Sequence, residues 1–283
     1  MSLSSWIASE NQRYPASLRD LSHPPAGLFA IGDVGVLDRP QVAIVGTRRA
    51  TSYGLRVARV LGGALARSGA SVISGLARGI DAAVHRAVLE ADGVTIAVLG
   101  TGIDVPYPAA HRELHAAIAQ SGLVLSEYGS GVRAHKGAFP RRNRIIAALA
   151  PVTIVVEAGE RSGALNTAYQ ALDLGRTVAA VPGPIDSPAS AGTNRLIRDG
   201  ATVILSLDDV YPLACVTPAP VTERMPASGP ERAVWDALED GPLSVDDIGA
   251  ISGLAAQECL VTITSLEIQG LLEATSAGDL RRR

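Results

Sequence analysis

The stretch QVAIVGTRRATSYG, residues 41–54, decides the architecture. Gln41–Val45 is a short run of β-branched and apolar residues with no polar alternation. Such a run suits a strand buried on both faces, which in turn implies a parallel sheet with helices above and below it. Gly46 ends the run, and the apolar spacing then changes to a helical one over 53–67. A strand, a glycine turn and a helix in that order form the first unit of a doubly wound α/β fold.

The same rhythm repeats outward. Strands are predicted over 71–74, 94–99, 123–126, 152–156, 177–181 and 202–205. Helices are predicted over 80–91, 111–120, 142–149 and 164–174. Residues 1–40, with YPASL, HPP and LFAIGD, break the rhythm and read as an irregular arm packed against the sheet edge. The sheet domain then spans 41–211. Residues 212–230 hold five prolines and no periodicity, as in a linker. Residues 231–283 read as three helices and a hairpin, the winged-helix pattern. Ser244 and Asp247 resemble a capping box, and Gly270 stops the third helix.

Composition narrows the function classes. The 283 residues are 47% hydrophobic and 19% charged, which excludes a disordered chain. No uninterrupted apolar run is long enough for a membrane span, and the N-terminus lacks the pattern of a secretory signal. Cys215 and Cys259 stand far apart, with neither a disulfide framework nor a zinc ribbon, so a reducing cytoplasm is expected. The net charge of −3 is unevenly divided. Residues 1–210 carry 20 basic and 17 acidic side chains, whereas residues 211–283 carry 5 and 11. Two stretches, 39–80 and 128–156, contain no acid at all; the first has seven arginines.

Ligands of open parallel sheets sit beyond the carboxyl ends of the strands. Glycine, serine, threonine and arginine follow those ends here: GTRRATSYG from Gly46, GLARGID from Gly75, EYGSG from Glu127, FPRRNR from Phe139 and EAGERSGA from Glu157. Free amides at helix N-termini bind anions, and the added arginines make this rim a phosphate site. The first turn lacks the second and third glycines of GxGxxG, and GxxxxGK[ST] is absent, so the usual dinucleotide and ATP sites are disfavoured. Arginine at a helix N-terminus is electrostatically unfavourable unless an anion is bound, which favours a ligand role for Arg48 and Arg49. Phe139 beside basic residues suits stacking on a single-stranded nucleic acid, and it equally suits packing toward Ile145 or Ile146. Tyr53 and Tyr128 are the other aromatics expected at the rim.

No catalytic or metal set assembles. A hydrogen bond along one helix face accounts for Asp81 and His85. Glu127 and Glu157 end strands and are expected to accept from glycine-rich loop amides.

These motifs, in this order, closely resemble the bacterial DNA-processing protein A (DprA/Smf) family. They are IVGTR with SYG, SGLARGID with His85, IAVLGTGIDVPYP from Ile96, SEYGSG from Ser126, FPRRNRIIAAL from Phe139, VVEAGERSGALNTA from Val155 and VPGPIDSPASAGTNRLIRDGA from Val181. The resemblance covers about 14–206, and the C-terminal part resembles the winged-helix module of many members. It implies an extended Rossmann-like, mostly parallel sheet followed by a winged helix. It also implies sequence-independent single-stranded DNA binding, strand protection and RecA loading in natural transformation, and a homodimer formed through the Rossmann domain. The family is not known for enzymes, and no cofactor or metal is expected. The candidate DNA-binding residues are Arg48, Arg49, Ser74, Gly75, Lys136, Phe139, Arg141, Asn143, Arg144, Ser162 and Gly163. Many members carry a helical SAM-like domain before the YP segment; only 13 residues precede Tyr14, so it is expected to be absent here.

The alternative is a nucleotide-binding or nucleoside-monophosphate-cleaving enzyme of the lysine-decarboxylase-like Rossmann group. Such enzymes use PGGxGTxxE where this chain has GERSGALNT. The stretch from Leu254 to Leu272 has no Arg or Lys, so the winged helix is expected to contact protein or regulate access rather than read DNA; Arg281, Arg282 and Arg283 argue the other way.

Overall fold

The computed structural model describes residues 4–135, 137–219, 228–268, 271–275 and 278–282. Two compact units divide at residues 219 and 220.

The first unit is built on a nine-stranded sheet. Its strands are β1 (Ser5–Ala8), β2 (Gly27–Gly32), β3 (Gln41–Val45), β4 (Ser71–Ser74), β5 (Val94–Gly102), β6 (Leu123–Tyr128), β7 (Val152–Val155), β8 (Thr177–Ala180) and β9 (Thr202–Val203). Their spatial order is β1-β2-β6-β5-β4-β3-β7-β8-β9. From β6 through β9 in that order every pairing is parallel. Strand order therefore reverses beside β3, between β4 and β7. The helices are α1 (Ser52–Arg67), α2 (Ile80–Glu90), α3 (Arg112–Ser121), α4 (Ala138–Leu149), α5 (Gly163–Asp173), α6 (Ala191–Arg198) and the short α7 (Val210–Leu213). Val42 and Ile44 face α1 and α2 with Leu61, Leu65 and Val84. Ala43 and Val45 face the opposite layer with Ile145, Leu165 and Leu196 of α4, α5 and α6. Both faces of β3 are thus dry, as its unbroken apolar run requires.

The elements depart from the sequence reading in the following places. Residues 1–40 are not an irregular arm: β1 and β2 extend the sheet, β2 pairing antiparallel with β6 and β1 antiparallel with β2. Trp6 and Phe29 pack at 4.6 Å between ring centroids, and the buried Tyr14 hydroxyl donates to the Pro25 carbonyl at 2.8 Å. β2 joins the sheet through β6, about a hundred residues away, which local pattern cannot reveal. Helix α4 begins at Ala138, four residues earlier than expected, with Pro140 in its first turn. That turn has no intrahelical use for the missing N–H, so proline is tolerated there. Helix α6 arises from the turn-like SAGTN, because Gly192 and Thr193 donate to the Ala158 carbonyl and Leu196 is buried. Residues 212–219, read as the start of the linker, pack with the first unit, where Ala214 is buried. The rest of that stretch, 220–227, lies outside the described residues.

The second unit contains α8 (Pro230–Ala237), α9 (Val245–Ser252), α10 (Ala256–Ile268) and the hairpin β10 (Leu272–Ala274) with β11 (Leu280–Arg282). Trp235, Ile248, Cys259, Ile263, Leu272 and Leu280 form its own core. Ser244 caps α9, its hydroxyl accepting from the Asp247 amide at 3.2 Å and donating to the Asp247 carboxylate at 2.6 Å. Gly270 lies outside the described residues. Among the described residues no single helix is long and apolar enough to cross a membrane.

Asp81 and His85 share α2 but take separate partners, contrary to the expected bond along one helix face. The Asp81 carboxylate accepts from the Gly75 and Ala77 amides. The Leu76 amide donates to His85 Nε2 at 3.3 Å, His85 Nδ1 pairs with the Thr95 hydroxyl at 2.6 Å, and that hydroxyl donates to the Val72 carbonyl. The chain needs a neutral ring protonated on Nδ1. Complete burial, with the Arg142 cation nearby, lowers the His85 pKa from 6.5 to about 3. The folded chain then binds fewer protons than the unfolded chain between those values, so stability falls as pH drops through that window. We expect the urea-unfolding free energy of the wild type to lose up to ~1.4 kcal/mol per pH unit from this residue between about pH 6 and pH 3. His85→Gln should flatten that limb, and equal slopes for the two proteins would refute the assignment.

Candidate nucleic-acid interface

The rim forms where strand order reverses, at the carboxyl ends of β3, β4, β5 and β7. Glu157, 2% exposed, pins the β3 loop to β7. Its carboxylate accepts from the Thr51 amide at 2.8 Å and the Thr51 hydroxyl at 2.6 Å, and the Thr51 hydroxyl in turn caps α1 through the Gly54 amide at 3.1 Å. A Cβ on Gly54 would lie 2.7 Å from that carboxylate, so residue 54 has to be glycine for α1 to start this close. Glu157 therefore accepts from an amide of the glycine-bounded loop 46–54, as expected, and from the hydroxyl of the same threonine as well. The pinned loop displays Arg48 and Arg49 to solvent.

The first turn of α4 forms the opposite wall. Phe139 is half-buried; its ring lies 5.1 Å below the Arg48 guanidinium carbon and 5.1 Å from the Tyr107 ring. Cations over aromatic faces are held by the ring quadrupole, so Arg48 is preset without losing its exposure. Phe139 rests on Gly100, where a Cβ would meet the ring at 2.9 Å.

Two cavities meet along a shared wall of Arg48, Arg49, Ala77, Phe139 and Arg142. One, of about 490 Å³, is completed by Asp81, Asn143, Ser162 and Gly163 among others. The other, of about 480 Å³, is completed by Gly75, Arg78, Tyr107 and Pro108 among others. Ser162 caps α5 and Gly163 is its exposed first residue. The Asn143 amide donates to the Gly163 carbonyl and to Asn166, each at 3.3 Å.

Several expected contacts fall elsewhere. Ser74 is fully buried and its hydroxyl donates to the Ile44 carbonyl at 2.7 Å, because the side chain points into the sheet rather than along it. Arg144 is held by Glu127 at 2.6 Å and by the His23 carbonyl at 2.9 Å. Glu127 also takes Arg141, at 3.0 Å, so this carboxylate pairs with arginines and not with loop amides. The same hydrogen bond pushes the Arg141 pKa up, and the side chain stays 59% exposed. Lys136 lies outside the described residues. Tyr53 donates to the Pro182 carbonyl at 2.9 Å and lines a separate cavity with Arg56 and Val181, and Tyr128 has an occluded hydroxyl; neither lines the two cavities that meet at Arg48 and Phe139.

Tyr107, Arg78, Asp81 and Arg142 line the cavities without having been singled out as binding residues. For Arg142 the signal was the helical period. It stands three and four residues before the buried Ile145 and Ile146, on the inward face of α4.

A family profile described as DNA recombination-mediator protein A matches residues 5–214, and one described as DprA winged helix domain matches residues 217–278. The chain is 35% identical over 288 residues to protein Smf of Escherichia coli, covering 98% of this chain and 77% of that one. The X-ray structure of DNA processing protein A from Streptococcus pneumoniae superposes with a TM-score of 0.71 at 41% identity, covering 74% of this chain and 73% of the other. DNA processing protein A from Helicobacter pylori, described for its single-stranded DNA binding mode, superposes with a TM-score of 0.68 at 33% identity, covering 75% and 97%. The chain belongs to the DNA recombination-mediator protein A family, the DprA/Smf proteins, and carries their C-terminal winged-helix domain.

Proposed function

We propose that the rim binds single-stranded DNA without sequence preference, and that the protein serves as a binder rather than an enzyme. The observation that carries this is the Arg48–Phe139 stack on the wall between two arginine-lined cavities. A cation for phosphate beside a ring for a base is what a single strand requires, and both are blind to base identity. Arg48, Arg49, Phe139, Asn143, Ser162 and Gly163 contact the strand in this reading. The Gly75 backbone shapes the second cavity, and Arg141 and Lys136 extend the basic track. Ser74 and Arg144 support the rim from behind.

The family description as a recombination mediator supports hand-over of the strand to RecA; in the same reading the protein acts in the cytoplasm as a homodimer formed through the sheet domain. Avidity from two rims would lengthen the track. The winged helix is assigned to protein contact or regulation of access. The exposed residues Leu260, Val261 and Thr264 of α10 are uncharged. Arg281 is paired with Glu273 at 2.5 Å, and Arg282 lies over Trp235 at 4.9 Å, so both described basic residues of the wing have partners within the module; Arg283 lies outside the described residues.

Arg48→Ala should weaken binding to an oligo-dT strand by about 10- to 100-fold, the worth of one charge-assisted hydrogen bond with its stacking. It should also reduce the slope of log affinity against log salt by ~0.7. Fluorescence anisotropy over a salt series measures both, and salt-insensitive binding by the wild type would sink the site. Arg144→Ala should behave differently. Breaking its half of the Glu127 clamp should cost about 2–4 kcal/mol in urea unfolding, with a smaller loss of DNA affinity. Duplex DNA of equal length should compete poorly with the single strand for the full chain. Tight duplex binding would return the winged helix to a DNA-reading role.

A further inference from the structure

Arg142 is 4% exposed and sits on the wall shared by both cavities. Its Nη1 donates to the carbonyls of Gly75, at 2.5 Å, and Val98, and its Nε donates to Asn143 Oδ1 at 3.2 Å. A guanidinium has five N–H donors, so these bonds use three and leave the two on Nη2. Nη2 takes no hydrogen-bond partner among the described residues, yet it is not among the occluded unpartnered atoms. It therefore opens onto the cavities that the residue lines.

No carboxylate comes within ion-pair distance of Arg142 among the described residues. Asp81 acts on it from further off, and burial pushes the Asp81 carboxyl up rather than down. Burial, with Arg48 nearby, lowers the Arg142 pKa to about 10, which still leaves it charged at neutral pH. The result is a desolvated cation with a fixed fork, two free donors and no paired counter-ion. An anion reaching it gains a charge-assisted hydrogen bond at little reorganisation cost. A Cβ on Gly75 would lie 2.1 Å from Nη1, so the β4 loop is shaped to let the guanidinium pass.

We propose that Arg142 is a DNA-contacting residue whose Nη2 binds one backbone phosphate where the strand crosses from one cavity to the other. This rests on the single-stranded DNA reading of the rim. Phosphate is the group favoured over a base edge, because it recurs at every nucleotide and because Phe139 and Tyr107 already supply ring surfaces on either side. A purely architectural arginine would need only the two carbonyls and the asparagine, and would leave the ligand untouched.

The test uses the full chain and fluorescein-labelled hexathymidylate, with anisotropy read from low to high salt and folding checked by circular dichroism. Arg142→Met should lower affinity by at least 10-fold and reduce the salt slope by ~0.7. Arg142→Lys keeps the charge and should hold the slope near that of the wild type while binding more weakly. Equal losses for both variants at an unchanged slope mean architecture alone and overturn the proposal. If neither variant folds, the wild-type crystal structure with hexathymidylate decides. A phosphate oxygen within hydrogen-bond distance of Nη2 supports the assignment, and a base or only water there overturns it. A wild type that fails to bind hexathymidylate at all would instead refute the DNA reading itself.

Discussion

The rim depends on one buried carboxylate at the reversal of strand order. β3 and β7 lie side by side, yet more than a hundred residues separate them in the chain. Their loops must diverge to opposite sides, and nothing in a parallel ladder ties them together beyond its last rung. Glu157 supplies that tie by accepting both donors of Thr51. A buried carboxylate is tolerable only when it is hydrogen-bonded. The same bonds that satisfy it therefore position the start of α1, the loop of Arg48 and Arg49, and the mouth of the first cavity.

Four arginines near this rim show how burial divides a single chemistry. Arg48 is exposed and preset by a ring. Arg141 is exposed and shares Glu127. Arg144 is mostly buried and closes the Glu127 clamp against the N-terminal segment. Arg142 is buried and bridges the end of β4 to the middle of β5. Exposed pairs of this kind are worth at most about 1 kcal/mol and exchange readily with a ligand. Buried ones are costly to break. Arg141 can therefore leave its carboxylate for a phosphate, whereas Arg144 cannot do so without loosening the attachment of residues 14–25 to α4.

Most of the central sheet was legible, because strands dry on both faces are continuous apolar runs; Gln41–Val45 and Ser71–Ser74 were read to the residue. The rim could be located too, since the carboxyl ends of parallel strands fall on one side. What sequence pattern missed has two causes. β1 and β2 form an antiparallel pair that joins the sheet only through β6, some ninety to a hundred residues away, so no strand–helix rhythm marks them. Side-chain direction at the rim was not resolved by residue type: Ser74, Arg142 and Arg144 carry binding chemistry, but only helical phase and strand alternation decide which of them faces a ligand. Starting the helix at Arg142 instead of Ala138 hid that phase and placed Phe139 outside the helix it belongs to.

The division of charge follows from the same reasoning. Affinity for nucleic acid is dominated by phosphate neutralisation, so a total of −3 says little when it averages a sheet unit rich in arginine with an acidic second unit. In the second unit both described arginines of the wing have partners inside the module, and the stretch from Leu254 to Leu272 has no basic residue. A helix that presents Leu260 and Val261 to solvent beside Glu258 and Glu267 would lose on both counts against a DNA backbone: repelled by its charge and short of hydrogen-bond donors. Exposed apolar side chains are instead the material of protein contacts. Under the proposed function the strand is held by the sheet unit and a protein partner is met by the acidic module, so the two tasks fall on surfaces of opposite chemistry.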